Sequence, residues 1–62
     1  MQGFTAKTTD GRIFFMAVLS DVEVLPFLEE EAGIDRDEVA VIARDPRFDE
    51  PNGRKQFLCH GD

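Results

Sequence analysis

RIFFMAVL, Arg12–Leu19, is the stretch whose reading decides the fold. Its odd positions are Ile13, Phe15, Ala17 and Leu19, and its even positions are Phe14, Met16 and Val18. A strand with one wet face alternates apolar and polar side chains, whereas this one is apolar on both parities. Two phenylalanines, Ile13 and Val18 favour a strand over an early start to the helix that follows. Such a strand belongs at the centre of a sheet. A helix covers one of its faces, and the other needs a lid from the C-terminal segment, a second copy, or a different protein. In a homodimer, Phe14, Met16 and Val18, or their opposite-parity neighbours, are expected to meet the second copy.

Upstream, GFTAKT (residues 3–8) reads as a short strand with Phe4 and Ala6 on one face and Thr5 and Lys7 on the other. Asp10-Gly11 behind it is a strong hairpin signal, because both residue types tolerate positive φ, so the two strands are expected to pair. Downstream, Ser20-x-x-Glu23 matches a capping box. Pro26 lies too far from Ser20 for a helix that starts there. The spacing therefore predicts a tight turn over 20–24 and a regular helix over 26–32, with a single kinked helix from Asp21 as the alternative. Gly33 stands where a left-handed C-terminal glycine belongs, and Ile34 can fold back onto Leu28. Val24, Phe27, Leu28 and Ala32 form the inward stripe.

Beyond the charged connection 35–38, VAVIA (39–43) is a second strand that is apolar on both parities. Residues 44–54 are rich in turn formers, and QFLCH (56–60) is expected to pair back as the last strand. The order β-β-α-β-β predicts an α+β domain over residues 1–62, with a mostly antiparallel sheet and one short helix packed on one face.

A chain of 62 residues forms a single domain and buries only about 60% of the surface its unfolded form exposes. Domains this small usually add disulfides, a metal or a partner. With one cysteine, Cys59, and one histidine, His60, neither an internal disulfide nor a four-ligand zinc site is expected. Oligomerisation or a partner protein remains. The lone thiol, the absence of a leader pattern behind Met1 and the absence of a long apolar run lead us to expect a cytoplasmic protein with no membrane contact.

Adjacent Cys59 and His60 point to opposite faces of a strand, so a catalytic pair is not expected and a small buried cysteine is the plainer reading. Asp45, Asp49, Glu50 and Asn52 lack calcium-loop spacing and read as a solvated turn. Arg44, Arg47, Arg54 and Lys55 around Phe48 and Phe57 could form a nucleic-acid patch, but the interspersed acids cancel most of it. No catalytic residue, metal site or cofactor is expected, and the chain reads as a non-enzyme.

The remaining signal is charge. The formal net charge is −6, and residues 20–38 hold eight acids against Arg36 alone. The rest of the chain is balanced to within one charge. An acidic protein does not release counterions from a phosphate backbone, so neither direct nucleic-acid binding nor an anionic membrane is expected, and a basic protein surface is the favoured partner. The bland reading of the cluster is a solvated, solubilising face. The sharper reading assigns Glu29, Glu30, Glu31, Asp35, Asp37 and Glu38 to a partner's lysines and arginines. In size and charge the chain resembles small phage-encoded inhibitors of host nucleic-acid enzymes, anti-CRISPR and anti-restriction proteins among them. That resemblance implies occlusion of a basic nucleic-acid groove. The alternative is a structural or regulatory homo-oligomer assembled through strand 13–19.

Overall fold

The computed structural model describes residues 1–60, with side chains through Leu58. Strands β1 (Gln2–Thr8), β2 (Ile13–Val18), β3 (Val39–Arg44) and β4 (Gln56–His60) form one sheet, with helix α1 (Val24–Ala32) between β2 and β3 in the chain. The strand order is β3-β1-β2-β4, and all three pairings are antiparallel. The molecule is thus a small α+β domain of β-β-α-β-β order.

The β1–β2 hairpin closes through Asp10-Gly11, where Gly11 takes φ 94°. Its register sets Phe4 opposite Met16 and Ala6 opposite Phe14. These residues share one face with Val18, and α1 lies on that face with Val24 and Leu28 inward. Phe57 of β4 joins them, its ring 5.8 Å from that of Phe14 and 5.7 Å from that of Phe27.

The helix begins two residues earlier than the sequence predicts. A 3-10 turn over Asp21–Glu23 runs directly into α1 at Val24. Pro26 is then the third residue of the first α-turn, where its missing N–H would have had no partner within the helix. Ser20 is extended and makes no side-chain cap, so the capping box is not formed. The C-terminal end follows the sequence closely: Gly33 is left-handed at φ 67°, its N–H donates to the Glu29 carbonyl at 3.0 Å, and Ile34 N–H donates to the Leu28 carbonyl at 3.3 Å.

The main departure concerns β4. It pairs with β2 at the far edge of the sheet, so it does not return to β3, its neighbour in sequence. The connection after β3 must cross β1 and β2 to reach that edge, and it does so on the face away from α1. Phe48 stacks on Phe15 at 4.5 Å between ring centroids. A Cβ on Gly3 would lie 2.2 Å from the Asp45 carbonyl oxygen, so the crossing chain sits directly on β1. The lid for the second face of β2 is this connection, one of the three arrangements the two-sided apolar pattern allows.

Candidate functional site

The connection is fastened by carboxylates. Asp49 accepts from the Gly3 N–H at 2.7 Å and from the Arg44 guanidinium at 2.6 Å. Asp45 accepts from the Thr5 hydroxyl at 2.9 Å and from Arg47 through its main-chain N–H, Nε and a terminal nitrogen. Glu50 is buried, and its two oxygens accept from the Asn52 and Arg54 N–H groups, each at 2.6 Å. Its main chain exchanges hydrogen bonds with Met1. The expectation of a solvated turn is therefore corrected: these acids hold a lid in place.

The pKa shifts follow from those bonds. The Arg47 guanidinium, then the Thr5 hydroxyl, keep Asp45 well below the usual carboxylate range. The Arg44 guanidinium and the Gly3 N–H lower Asp49. The N–H groups of Asn52 and Arg54 lower Glu50. In the hairpin, the Thr8 hydroxyl and the Arg12 guanidinium lower Asp10 to about 2. Among the described residues no three histidines, cysteines, aspartates or glutamates come together as a metal site. The side chains of Cys59 and His60 lie outside the described residues.

Four cations are held twice, by a carboxylate and by a ring. Arg12 pairs with Asp10 and lies over Phe14, and Arg44 pairs with Asp49 over Phe4. Arg47 pairs with Asp45 over Phe48, and Lys55 pairs with Glu23 over Phe27. Three of the four cations in the candidate nucleic-acid patch are thus neutralised within the chain.

The acidic stretch is built differently. Glu29, Glu30 and Glu31 occupy the last turn of α1, all three exposed, with no basic residue in that turn. Their carboxylates stand at the negative end of the helix dipole. After Gly33 and Ile34 the chain enters a 3-10 turn over Arg36–Glu38 with Asp35 ahead of it, and Asp35, Asp37 and Glu38 are exposed too. Among the described residues the one ion pair reaching these six acids runs from Glu38 to Arg12 at 3.8 Å. The six stand on two consecutive elements, the helix end and the turn that leads into β3.

The expected oligomer residues are placed otherwise. Phe14, Met16 and Val18 are 3%, 0% and 0% exposed, packed beneath α1. They are core, and the folded chain does not offer them to a second copy. The opposite-parity Phe15 is half-buried under Phe48. Among the described residues the exposed large apolar side chains are Leu19 and Val22 around the turn into α1, Leu58 on β4, and Val41 and Ile42 side by side on β3, where Val41 is 54% and Ile42 37% exposed. A shallow groove of about 230 Å³ runs beside it, lined by Leu25, Arg36 and Val39–Ile42. The signal for β3 was present in VAVIA, which is apolar on both parities; what pointed elsewhere was the longer and more aromatic β2.

Among the described residues no helix is long and apolar enough to cross a membrane. Compared with known proteins, the chain matches no family model, no curated protein and no solved structure. Geometry and charge carry the functional reading.

Proposed function

We propose that this chain is a non-enzymatic protein-binding module that sets its acidic flank, Glu29, Glu30, Glu31, Asp35, Asp37 and Glu38, against a basic surface of another protein. The mode of action is occlusion. The flank takes the place of a phosphate backbone in a lysine- and arginine-lined groove, in the manner of a small phage-type inhibitor.

One observation carries this reading. The fold pairs four of its cations with carboxylates elsewhere, yet leaves six acids at the α1 end and the following turn with a single 3.8 Å contact. Three of those acids also oppose the helix dipole. A small domain gains nothing in its own stability from this arrangement, whereas a partner's guanidinium and ammonium groups would complete it.

The test is capture from host lysate on the immobilised chain, at low and at high salt, beside the variant carrying Glu30→Lys and Asp37→Lys. The reading expects a partner that the native chain holds at low salt, releases at high salt, and that the variant fails to retain. Unchanged partner binding with unchanged salt dependence in the variant would overturn it.

A further inference from the structure

Strand β3 is an edge strand with two open apolar faces. The Asp45 N–H donates to the Gly3 carbonyl at 2.9 Å, and the register sets Thr5 opposite Ala43 and Lys7 opposite Val41. Main-chain polar groups alternate sides along an antiparallel strand, so Ala43 and Val41 turn theirs toward β1. Ile42 and Arg44 turn theirs away from the sheet. Ile42 stands opposite Ala6 and hence on the helix face, while Val41 stands on the other. The devices that usually blunt an edge are largely missing: Val39–Ala43 contains no lysine, no proline and no charge. The register shift near Thr8 leaves Val41–Arg44 as the regular part of that edge.

The charges flanking β3 point to its occupant. Asp35, Asp37 and Glu38 precede the strand with Arg36 among them, and Arg44 and Arg47 lie at its far end, each already paired with an acid of its own chain, Asp49 and Asp45, the Arg47 side chain 77% exposed. A guanidinium that already holds one carboxylate still has donors for a second. A reversed copy of the same strand places each acidic end against the other's arginines, twice over. A parallel copy would set acid against acid. The two-fold axis of such a pair stands perpendicular to the sheet, so the two helices lie on the same side, and Ile42 of each copy faces the groove beside the other's Leu25.

We propose that the outer edge of β3 binds a second copy of this chain antiparallel, joining two four-stranded sheets into one, with Val41 and Ile42 at the centre of the contact and Leu25 flanking it. This assembly draws on Asp35, Asp37 and Glu38 of the acidic partner surface and leaves Glu29, Glu30 and Glu31, at the end of α1, outside the strand contact. It moves the expected homodimer from β2 to β3.

Sedimentation velocity on the whole chain, from micromolar to millimolar concentration, tests the proposal beside Ile42→Arg and Val41→Lys. Both positions lie outside the core, so circular dichroism and melting curves are expected to match the native chain. The native protein is expected to dimerise, and each variant to associate at least tenfold more weakly. Exchange of the Ile42 and Arg44 amide protons is expected to slow as concentration rises. A native chain that stays monomeric throughout would overturn the proposal, also where an added extended peptide protects those same amides. A dimer that survives both substitutions, or that is lost only on replacing exposed Leu19 or Val22, would overturn it as well.

Discussion

Between Ile13 and Val18, β2 sets Phe14, Met16 and Val18 beneath α1 and Phe15 beneath Phe48, whereas β3, apolar on both parities as well, leaves Val41 and Ile42 in solvent. The side chains alone do not separate the two strands. Position in the sheet does. β2 lies between β1 and β4, with the helix on one face and the crossing connection on the other, while β3 pairs with β1 alone. An apolar pattern on both parities therefore reports that two faces need cover, and topology decides whether the chain supplies it.

The largest expected effect comes from truncating the two strands in parallel. Met16→Ala removes a fully buried side chain and is expected to cost about 2–5 kcal/mol. Val41→Ala is expected to stay within about 0.5 kcal/mol, as surface changes usually do. Stability for 62 residues is itself only roughly 3–9 kcal/mol, so Met16→Ala is expected to leave the chain barely folded. Urea unfolding of both variants, at concentrations too low for association, checks the contrast; equal losses would break it. Gly3→Ala comes next. Its new Cβ meets the main chain of Asp45, Phe48 and Asp49, which has no flexible end to give way. We expect a loss of about 1–3 kcal/mol in the same assay, as in overpacked cores. A neutral result would mean that the crossing connection does not rest on β1.

How far this was legible differs by element. The Asp10-Gly11 hairpin, the Gly33 stop with Ile34 on Leu28, and the inward stripe of α1 are local, and local chemistry fixes them. The partner of β4 is not local: Asn52-Gly53 looks like the turn of a hairpin, yet the strand ends up against β2. What settles that is Phe15, which needs a cover and finds it in Phe48, while Asp45 and Asp49 fasten the crossing chain to Thr5 and Gly3 of β1. The same acids read from sequence as solvated because the donors that tie them to β1, Thr5 and Gly3, lie 40 and 46 residues away. The acidic flank was legible as a cluster, but its isolation from the cations emerges only from the pairing of Arg12, Arg44, Arg47 and Lys55.

Acid separates the lid from the core on which it rests. Asp45, Asp49 and Glu50 all have lowered pKa values, so the folded state binds fewer protons than the unfolded chain as they titrate. Their contribution is whole above the unfolded carboxylate range and is lost as pH falls through the folded values. Asp10, lowered from 3.8 to about 2, follows the same course in the hairpin. Stability is expected to hold steady near neutral pH and to decline from about pH 4.5 to pH 2. Asp49→Asn keeps much of the shape at that position but removes its titration, and is expected to flatten part of the decline. Thermal melts across this range provide the measurement. A melting temperature that is level down to pH 2 would mean that these carboxylates do not hold the lid on β2.

The smallest expected effect lies at Glu30, near the end of the helix that leads into the turn before β3. Its side chain is exposed in the last turn of α1, where the helix presents carbonyl oxygens and the two neighbouring carboxylates of Glu29 and Glu31 add to the same negative end. Glu30→Lys replaces a repelled charge with an attracted one, with Glu29 and Glu31 still present to meet it. A charge at a helix end is worth roughly 0.3–1 kcal/mol, which in a domain of this size corresponds to a rise of a few degrees in melting temperature. The gain is expected to shrink at high salt, because the charges are wet and the screening length falls from about 8 Å at physiological salt to about 3 Å at 1 M. An isolated fold would be better off with the lysine, which is the cost that the proposed partner's cations would offset. Should Glu30→Lys lower the melting temperature instead, the flank would be serving the fold, and the acids ahead of β3 would belong with those that hold the lid over β2.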